Sequence, residues 1–177
     1  RAADGTGAAV QLTANTFPDV EPAWSPVMEG APQGRIAFVS TRTGDTNRNV
    51  YVMNPDGGAV LNLTPNGQYD GLPYQGHDDD PAWSADGRIA FSHTFQPNAT
   101  GLPAVWSVAS DGTGLNRIST DSTQSATEPS WSPDTTRIAY VGTAGTDRNI
   151  AVMSADGTGG HHIDTATSHD LAPDWAE

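Results

Sequence analysis

Pro129-Ser130-Trp131-Ser132-Pro133-Asp134, then Arg137-Ile138-Ala139-Tyr140-Val141, then Arg148-Asn149-Ile150-Ala151-Val152-Met153 and the turn Asp156-Gly157 form the stretch that decides the fold, because its parts return along the chain. The tryptophan phrase recurs as Pro22-Ala23-Trp24-Ser25, Pro81-Ala82-Trp83-Ser84 and Pro173-Asp174-Trp175-Ala176. Arg35-Ile36-Ala37-Phe38 and Arg88-Ile89-Ala90-Phe91 repeat the second segment, Val50-Tyr51-Val52-Met53 and Val105-Trp106-Ser107-Val108 the third, and Asp56-Gly57 and Asp111-Gly112 the turn. Each unit then closes on Val60-Leu61-Asn62-Leu63-Thr64, Leu115-Asn116-Arg117-Ile118-Ser119 or His161-His162-Ile163-Asp164-Thr165. Asp4-Gly5 and Val10-Gln11-Leu12-Thr13 are orphan copies of the turn and of this last segment.

Four short apolar segments per unit, separated by tight turns, predict a four-stranded antiparallel sheet; Asp-Gly between apolar runs is a hairpin signal because Gly accepts positive φ. The tryptophans recur about every 50 residues, the size of a propeller blade and too long for leucine-rich or hexapeptide solenoids. Nineteen Gly and thirteen Pro interrupt the chain, and no window shows apolar residues at helical spacing. The expected class is all-β: three nearly complete blades with a partial blade at each end. The segments are 1–13 as an orphan outer strand, 22–64, 81–119 and 129–165 as blades, and 172–177 as the first strand of a following blade, all within one propeller segment, 1–177.

A formal net charge of −13, with eight Lys plus Arg against 21 Asp plus Glu, argues against nucleic acid, whose readers need a basic stripe. No signal peptide or membrane-spanning stretch is recognisable, so membrane insertion is not expected. The absence of cysteine excludes a disulfide framework, thiolate catalysis and cysteine-bound zinc. An acidic, Lys-poor surface suits an extracytoplasmic protein: periplasmic, secreted or on the cell surface.

Pro-x-Trp-Ser-Pro-Asp, Arg-Ile-Ala-Tyr-Val and Arg-Asn-Ile-x-Val-Met-x-x-Asp-Gly, fullest from Pro129 to Gly157, resemble the repeats of the TolB-like, WD-repeat-like β-propeller family. The resemblance implies that the Pro-x-Trp-Ser strand is innermost, beside an axial channel, and the Leu-x-Leu-Thr strand outermost. Val27 to Gly34, Gln96 to Pro103 and Pro65 to Asp80 lengthen the pattern and are where an individual function would be added. Three blades do not close a ring, so the chain is expected either to be an excerpt of a longer propeller or to join further copies of itself that complete the terminal half-blades.

Trp24, Trp83, Trp131 and Trp175 are expected to pack between blades, as are Tyr51 and Trp106, in whose column Ala151 stands. Carboxylates precede each innermost strand: Asp19, Glu21, Asp78 to Asp80, Glu128 and Asp170. By the same resemblance, Asp19, Glu21, Asp80, Glu128 and Asp170 would stand at one channel mouth, where they could hold Ca²⁺ or receive a basic peptide segment; the alternative is a solvated loop whose carboxylates cap backbone amides. His77, Asp78, Asp79 and Asp80 are the first choice for a calcium site, and no other cofactor is expected. His161 and His162 are adjacent on a strand and point to opposite faces, so they do not converge on one zinc. His93 and His169 have no recognisable partner, and no Gly-x-Ser-x-Gly elbow or Ser/His/Asp set is present. Asn62-Leu63-Thr64 and Asn98-Ala99-Thr100 match the N-glycosylation pattern. The expected function is non-catalytic protein binding or assembly outside the cytoplasm. The alternatives are a structural subunit of a surface fibre or layer, and the propeller portion of a larger prolyl-oligopeptidase-type hydrolase.

Overall fold

The computed structural model describes residues 8–26, 34–44, 47–65, 76–95, 101–121, 123–144, 146–163 and 170–175, and among these it contains strands and no helix. Three sheets follow one another along the chain. Blade 1 is β1 (Asp19–Trp24), β2 (Ile36–Ser40), β3 (Asn49–Met53) and β4 (Leu61–Asn62). Blade 2 is β5 (Gly76–Trp83), β6 (Arg88–Phe95), β7 (Ala104–Ala109) and β8 (Asn116–Arg117). Blade 3 is β9 (Ala126–Trp131), β10 (Arg137–Ala144), β11 (Asp147–Ser154) and β12 (His161–His162). Within each sheet the strands pair antiparallel in chain order. The first strands begin upstream of Pro22, Pro81 and Pro129, so the carboxylates expected ahead of the innermost strand at Asp19, Glu21, Asp78 to Asp80 and Glu128 lie within it. The reason is a bulge. Ladder pairing resumes across it, with Val20 opposite Val39 and Ala23 opposite Ala37 in blade 1, and equivalent steps at Asp79/Ala82 in blade 2 and Thr127/Ser130 in blade 3. Proline, which has no N–H to donate, fits where the ladder is already interrupted.

The second and third strands of blade 2 are buried on both faces because blades 1 and 3 cover them. Phe38 sits opposite Tyr51 with ring centroids 5.6 Å apart, Phe91 opposite Trp106, and Tyr140 opposite Ala151. Ala37, Val50, Val52 and Leu63 of blade 1 close on Trp83, Ile89, Phe91, Trp106 and Val108 of blade 2. Ala90, Val105 and Ile118 of blade 2 close on Ala126, Trp131, Ile138 and Met153 of blade 3. The outer face of blade 1, made of Ile36, Phe38, Tyr51 and Met53, is covered by Leu12 of the preceding orphan segment.

The outermost strands are only two residues long, and the motif that follows them completes the edge. Leu63, Ile118 and Ile163 each donate a backbone N–H, at 2.9 Å, to the carbonyls of Val50, Val105 and Ile150. Thr64 and Ser119 then accept, through their hydroxyls, the N–H of Val50 at 2.9 Å and of Val105 at 3.0 Å. An apolar residue followed by a hydroxyl residue therefore plugs the core and satisfies a strand edge in one step. Gly57 and Gly157 adopt φ of 83° and 85° in their Asp-Gly turns. A Cβ on either would run into a backbone oxygen of the preceding outer segment, Leu12 or Ile118. Glycine there is required by close approach as well as by the turn.

Candidate functional site

The recurring bulge positions the acidic side chains. Glu21, Asp80, Glu128 and Ala172, each directly before a proline, have φ of 52°, 55°, 52° and 50°. Left-handed backbone costs a residue with a Cβ roughly 1 kcal/mol or more, so its return at one position in every unit means that the surroundings compensate it. The compensation crosses from blade to blade. The backbone N–H of Asp80 donates to Glu21 Oε2 at 2.8 Å, and that of Ala172 donates to Glu128 Oε2 at 2.7 Å. Between them, Glu128 N–H donates to Ser92 Oγ at 2.8 Å, and the Ser92 hydroxyl donates to Asp80 Oδ2 at 2.9 Å. A second row runs beside the first: the N–H groups of Asp78, Ala126 and Asp170 donate to the carbonyls of Arg48, Pro103 and Arg148, each at 2.9 Å.

The carboxylates are partly neutralised by arginine. Arg42 meets Asp19 at 2.8 Å, Arg48 meets Asp79 at 2.7 Å across blades, and Arg148 meets Glu128. Burial alone would raise Asp19, but hydrogen bonds from Ser40, Arg42, Thr13 and Asn15 outweigh it and hold the carboxyl below its usual range. Asp80 is displaced upward, first by burial and then by the negative charges of Glu21 and Glu128, against the Ser92 hydrogen bond. Asp79 is also raised, chiefly by burial, with Arg48 opposing. Asp80 thus stands between Glu21 and Glu128, tied to the first through its own N–H and to the second through Ser92.

The four residues singled out for calcium are divided by the strand. Asp78 turns inward, where its Oδ1 lies 2.6 Å from His93 Nδ1; Asp79 goes to Arg48; the Nδ1 of His77 accepts the Arg48 N–H at 3.3 Å; and Asp80 goes to Ser92. Among the described residues no group of three His, Asp or Glu side chains converges as a metal site. Asp170 stays in the interblade row through its own N–H. Trp83 and Trp131 are buried, at 9% and 6% exposure, whereas Trp24, on the uncovered side of blade 1, is 60% exposed. The Trp83 indole donates to Ala23 O at 3.1 Å and that of Trp175 to Ser130 O at 3.0 Å. Arg88 and Arg137 stack on Trp131 and Trp175 at 4.4 and 4.8 Å from the ring centroids. His161 and His162 take separate partners, Gly159 O and Gln124 Oε1, each at 2.8 Å. His169, Asn98 and most of the three lengthened loops lie outside the described residues.

The pairing of His93 with Asp78 is the feature that sequence reasoning missed. Both are buried, with His93 edge-on to Phe95 at 4.6 Å. The signal lay in the repeat itself, since Asp78 and His93 occupy the positions of Asp19 and Ser40, which are opposite each other in blade 1.

Antiparallel four-stranded sheets stacked face to face through one tryptophan phrase define a run of β-propeller blades. Residues 32–177 match the model of the TolB beta propeller domain, and the chain belongs to that family. The Tol-Pal system protein TolB of Anaeromyxobacter dehalogenans (strain 2CP-C) is 35% identical over 95 residues, which are 54% of this chain and 21% of that protein. A solved structure of a putative TolB from Agrobacterium tumefaciens superposes with a TM-score of 0.63 at 19% identity, covering 81% of this chain and 47% of the other. Puromycin hydrolase superposes with a TM-score of 0.62 at 17% identity, covering 96% of this chain and 24% of the hydrolase. The chain therefore spans about a fifth of the TolB relative's length, and the structural likenesses concern the fold.

Proposed function

We infer that this chain is part of a non-catalytic, extracytoplasmic propeller that binds a protein partner through its row of bulge carboxylates. The observation that carries the reading is the row of Glu21, Asp80 and Glu128 on successive blades, with Glu21 Oε2 accepting the Asp80 N–H and Ser92 bridging Asp80 to Glu128. Such a row, in a chain of net charge −13, favours a segment rich in Lys or Arg and speeds its encounter. Similarity to the Tol-Pal system protein TolB supports both the binding role and the compartment. The partner's basic segment would lie across the first strands. Titration of the protein with a lysine- and arginine-rich peptide tests this by calorimetry. Binding is expected to weaken steeply with salt and to fall about tenfold in Glu21→Gln/Glu128→Gln, which keeps the interblade acceptors. Salt-independent binding, or an unchanged double variant, defeats the reading.

The uncovered faces at Trp24 and at Ile163, which is 61% exposed where Leu63 is wholly buried, support further blades or further copies packing there. A mass measurement in solution decides between them for the isolated chain: a clean monomer removes self-assembly. The alternative of a hydrolase propeller requires a serine elbow elsewhere in the reading frame, and the full gene sequence tests it directly.

A further inference from the structure

Between blades 2 and 3, at their outer ends, lies a cleft of ≈ 220 Å³. Its origin is a set of departures from the repeat. Ala151 stands where the other blades carry Tyr51 and Trp106, and Gly160 stands where blade 2 carries Leu115, which packs on the core. Gly160 lines the cleft, whereas Ala151 is wholly buried behind it. A third change adds chemistry there: Tyr140 replaces the phenylalanines Phe38 and Phe91, and its hydroxyl stands 3.2 Å from where a Cβ on Gly160 would be. A phenol has therefore been placed where the space opens.

The rest of the lining is polar and held in position. Gln124 is pinned by His162, whose Nε2 lies 2.8 Å from Gln124 Oε1. Asp121 is anchored through Oδ1 by the Thr123 N–H at 2.8 Å and the Thr123 hydroxyl at 2.7 Å. The Asp156-Gly157 turn is fixed in the same way by Thr158, and it brings backbone groups of Gly157 to Gly160 to the rim. Tyr140 is shifted upward by burial and then by the Asp121 charge, which places phenol and carboxylate near each other. Among the described residues no Lys or Arg lines the cleft, so an anion would meet Asp121 without a Lys or Arg counter-charge. An apolar guest would leave hydroxyl, amide and carboxylate groups desolvated. A neutral guest carrying several hydroxyls satisfies acceptors and donors together, and the volume suits one ring of that kind.

We propose that the cleft formed by Tyr140, Gln124, Asp121 and the Gly157 to Gly160 turn binds a single neutral sugar residue. This site is separate from the carboxylate row and independent of the protein-binding reading. The ¹⁵N-labelled chain is titrated with glucose, galactose, mannose and N-acetylglucosamine, with glucuronate and glucosamine as charged counterparts. At least one neutral sugar is expected to shift the amides of Gly157 to Gly160 and the Gln124 side chain, with glucuronate at least about tenfold weaker. Gly160→Leu, which restores the blade 2 residue, should abolish the shifts with the melting temperature held or raised. Tyr140→Phe, which restores the ring found in the other blades, should weaken binding about fivefold, the loss of one hydrogen bond, and leaves the test intact should the leucine variant fail to fold. Absence of shifts with every neutral sugar overturns the proposal. So do shifts that survive both substitutions, or glucuronate that binds as tightly as its neutral parent.

Discussion

The junction between blades 1 and 2 and the junction between blades 2 and 3 use the same repeat and end in different surfaces. At the first, Phe91, Trp106 and the flanking Leu115 fill the space against Val50, Val52 and Leu63. At the second, Tyr140, Ala151 and Gly160 stand at those positions and a cleft results. The shared strand ladder fixes the backbone in both, so a few side-chain volumes decide whether a blade junction is solid core or a binding-sized recess. The difference teaches that in such a repeat the departures, rather than the motif, carry individuality.

The sharpest way to break the comparison is to hollow the solid junction. Trp106→Ala is expected to cost about 3–5 kcal/mol in urea unfolding, since the ring is almost wholly buried and nothing adjacent can refill it. A loss below about 2 kcal/mol would mean that the first junction is as loosely filled as the second. Next in size is the buried pair found only in blade 2. His93→Ala leaves Asp78 buried opposite a void and should cost about 3 kcal/mol, while the Asp78→Asn/His93→Ala double variant should cost less than the sum of its singles. Additive losses would dissolve the pairing.

The Asp-Gly turns of blades 2 and 3 sharpen the contrast further. A Cβ on Gly157 meets the Ile118 carbonyl of blade 2, whereas one on Gly112 meets nothing within 4 Å. Gly112→Ala should therefore cost only the left-handed backbone term, about 1 kcal/mol, and Gly157→Ala clearly more, as read from paired thermal melts. Equal losses would show that the turn of blade 3 is not clamped. The smallest effect concerns the acidic row common to both junctions. Because the folded state holds the Asp80 carboxyl above its ordinary value, stability from this group is complete in acid and is lost as pH rises through that raised value. Asp80→Asn, which can still accept the Ser92 hydroxyl, should raise the melting temperature slightly near pH 7, with a gain that disappears near about pH 3. A gain of the same size at both pH values would trace to something other than ionisation.

The blade pattern was legible because each motif has a local physical meaning: alternating apolar segments, Asp-Gly turns, and a Leu-Thr close to the edge. The sites were less so. Reading Glu21, Asp80 and Glu128 as residues ahead of a strand missed that a bulge can hold a non-glycine residue at positive φ inside the strand when the next blade supplies the compensating bond. His77 to Asp80 looked like one cluster because they are neighbours in sequence, yet a strand sends successive side chains to opposite faces. His93 found its partner through the register between β5 and β6, which the sequence carries only as the matching positions of Asp19 and Ser40 in blade 1. The cleft was not legible, because it turns on the loss of a side chain at Gly160 beside the phenol of Tyr140.

The carboxylate of one bulge addresses the main chain of the next blade, at the N–H of Asp80 from Glu21 and at that of Ala172 from Glu128. Ala172 shows that the receiving residue needs no particular side chain. At these two junctions the coupling reads only an amide in a set backbone conformation, so the receiving unit can dock without a matching side chain, whereas between blades 2 and 3 the Ser92 hydroxyl takes the carboxylate's place at the Glu128 N–H. Junctions of that first kind leave the receiving side chain free to change.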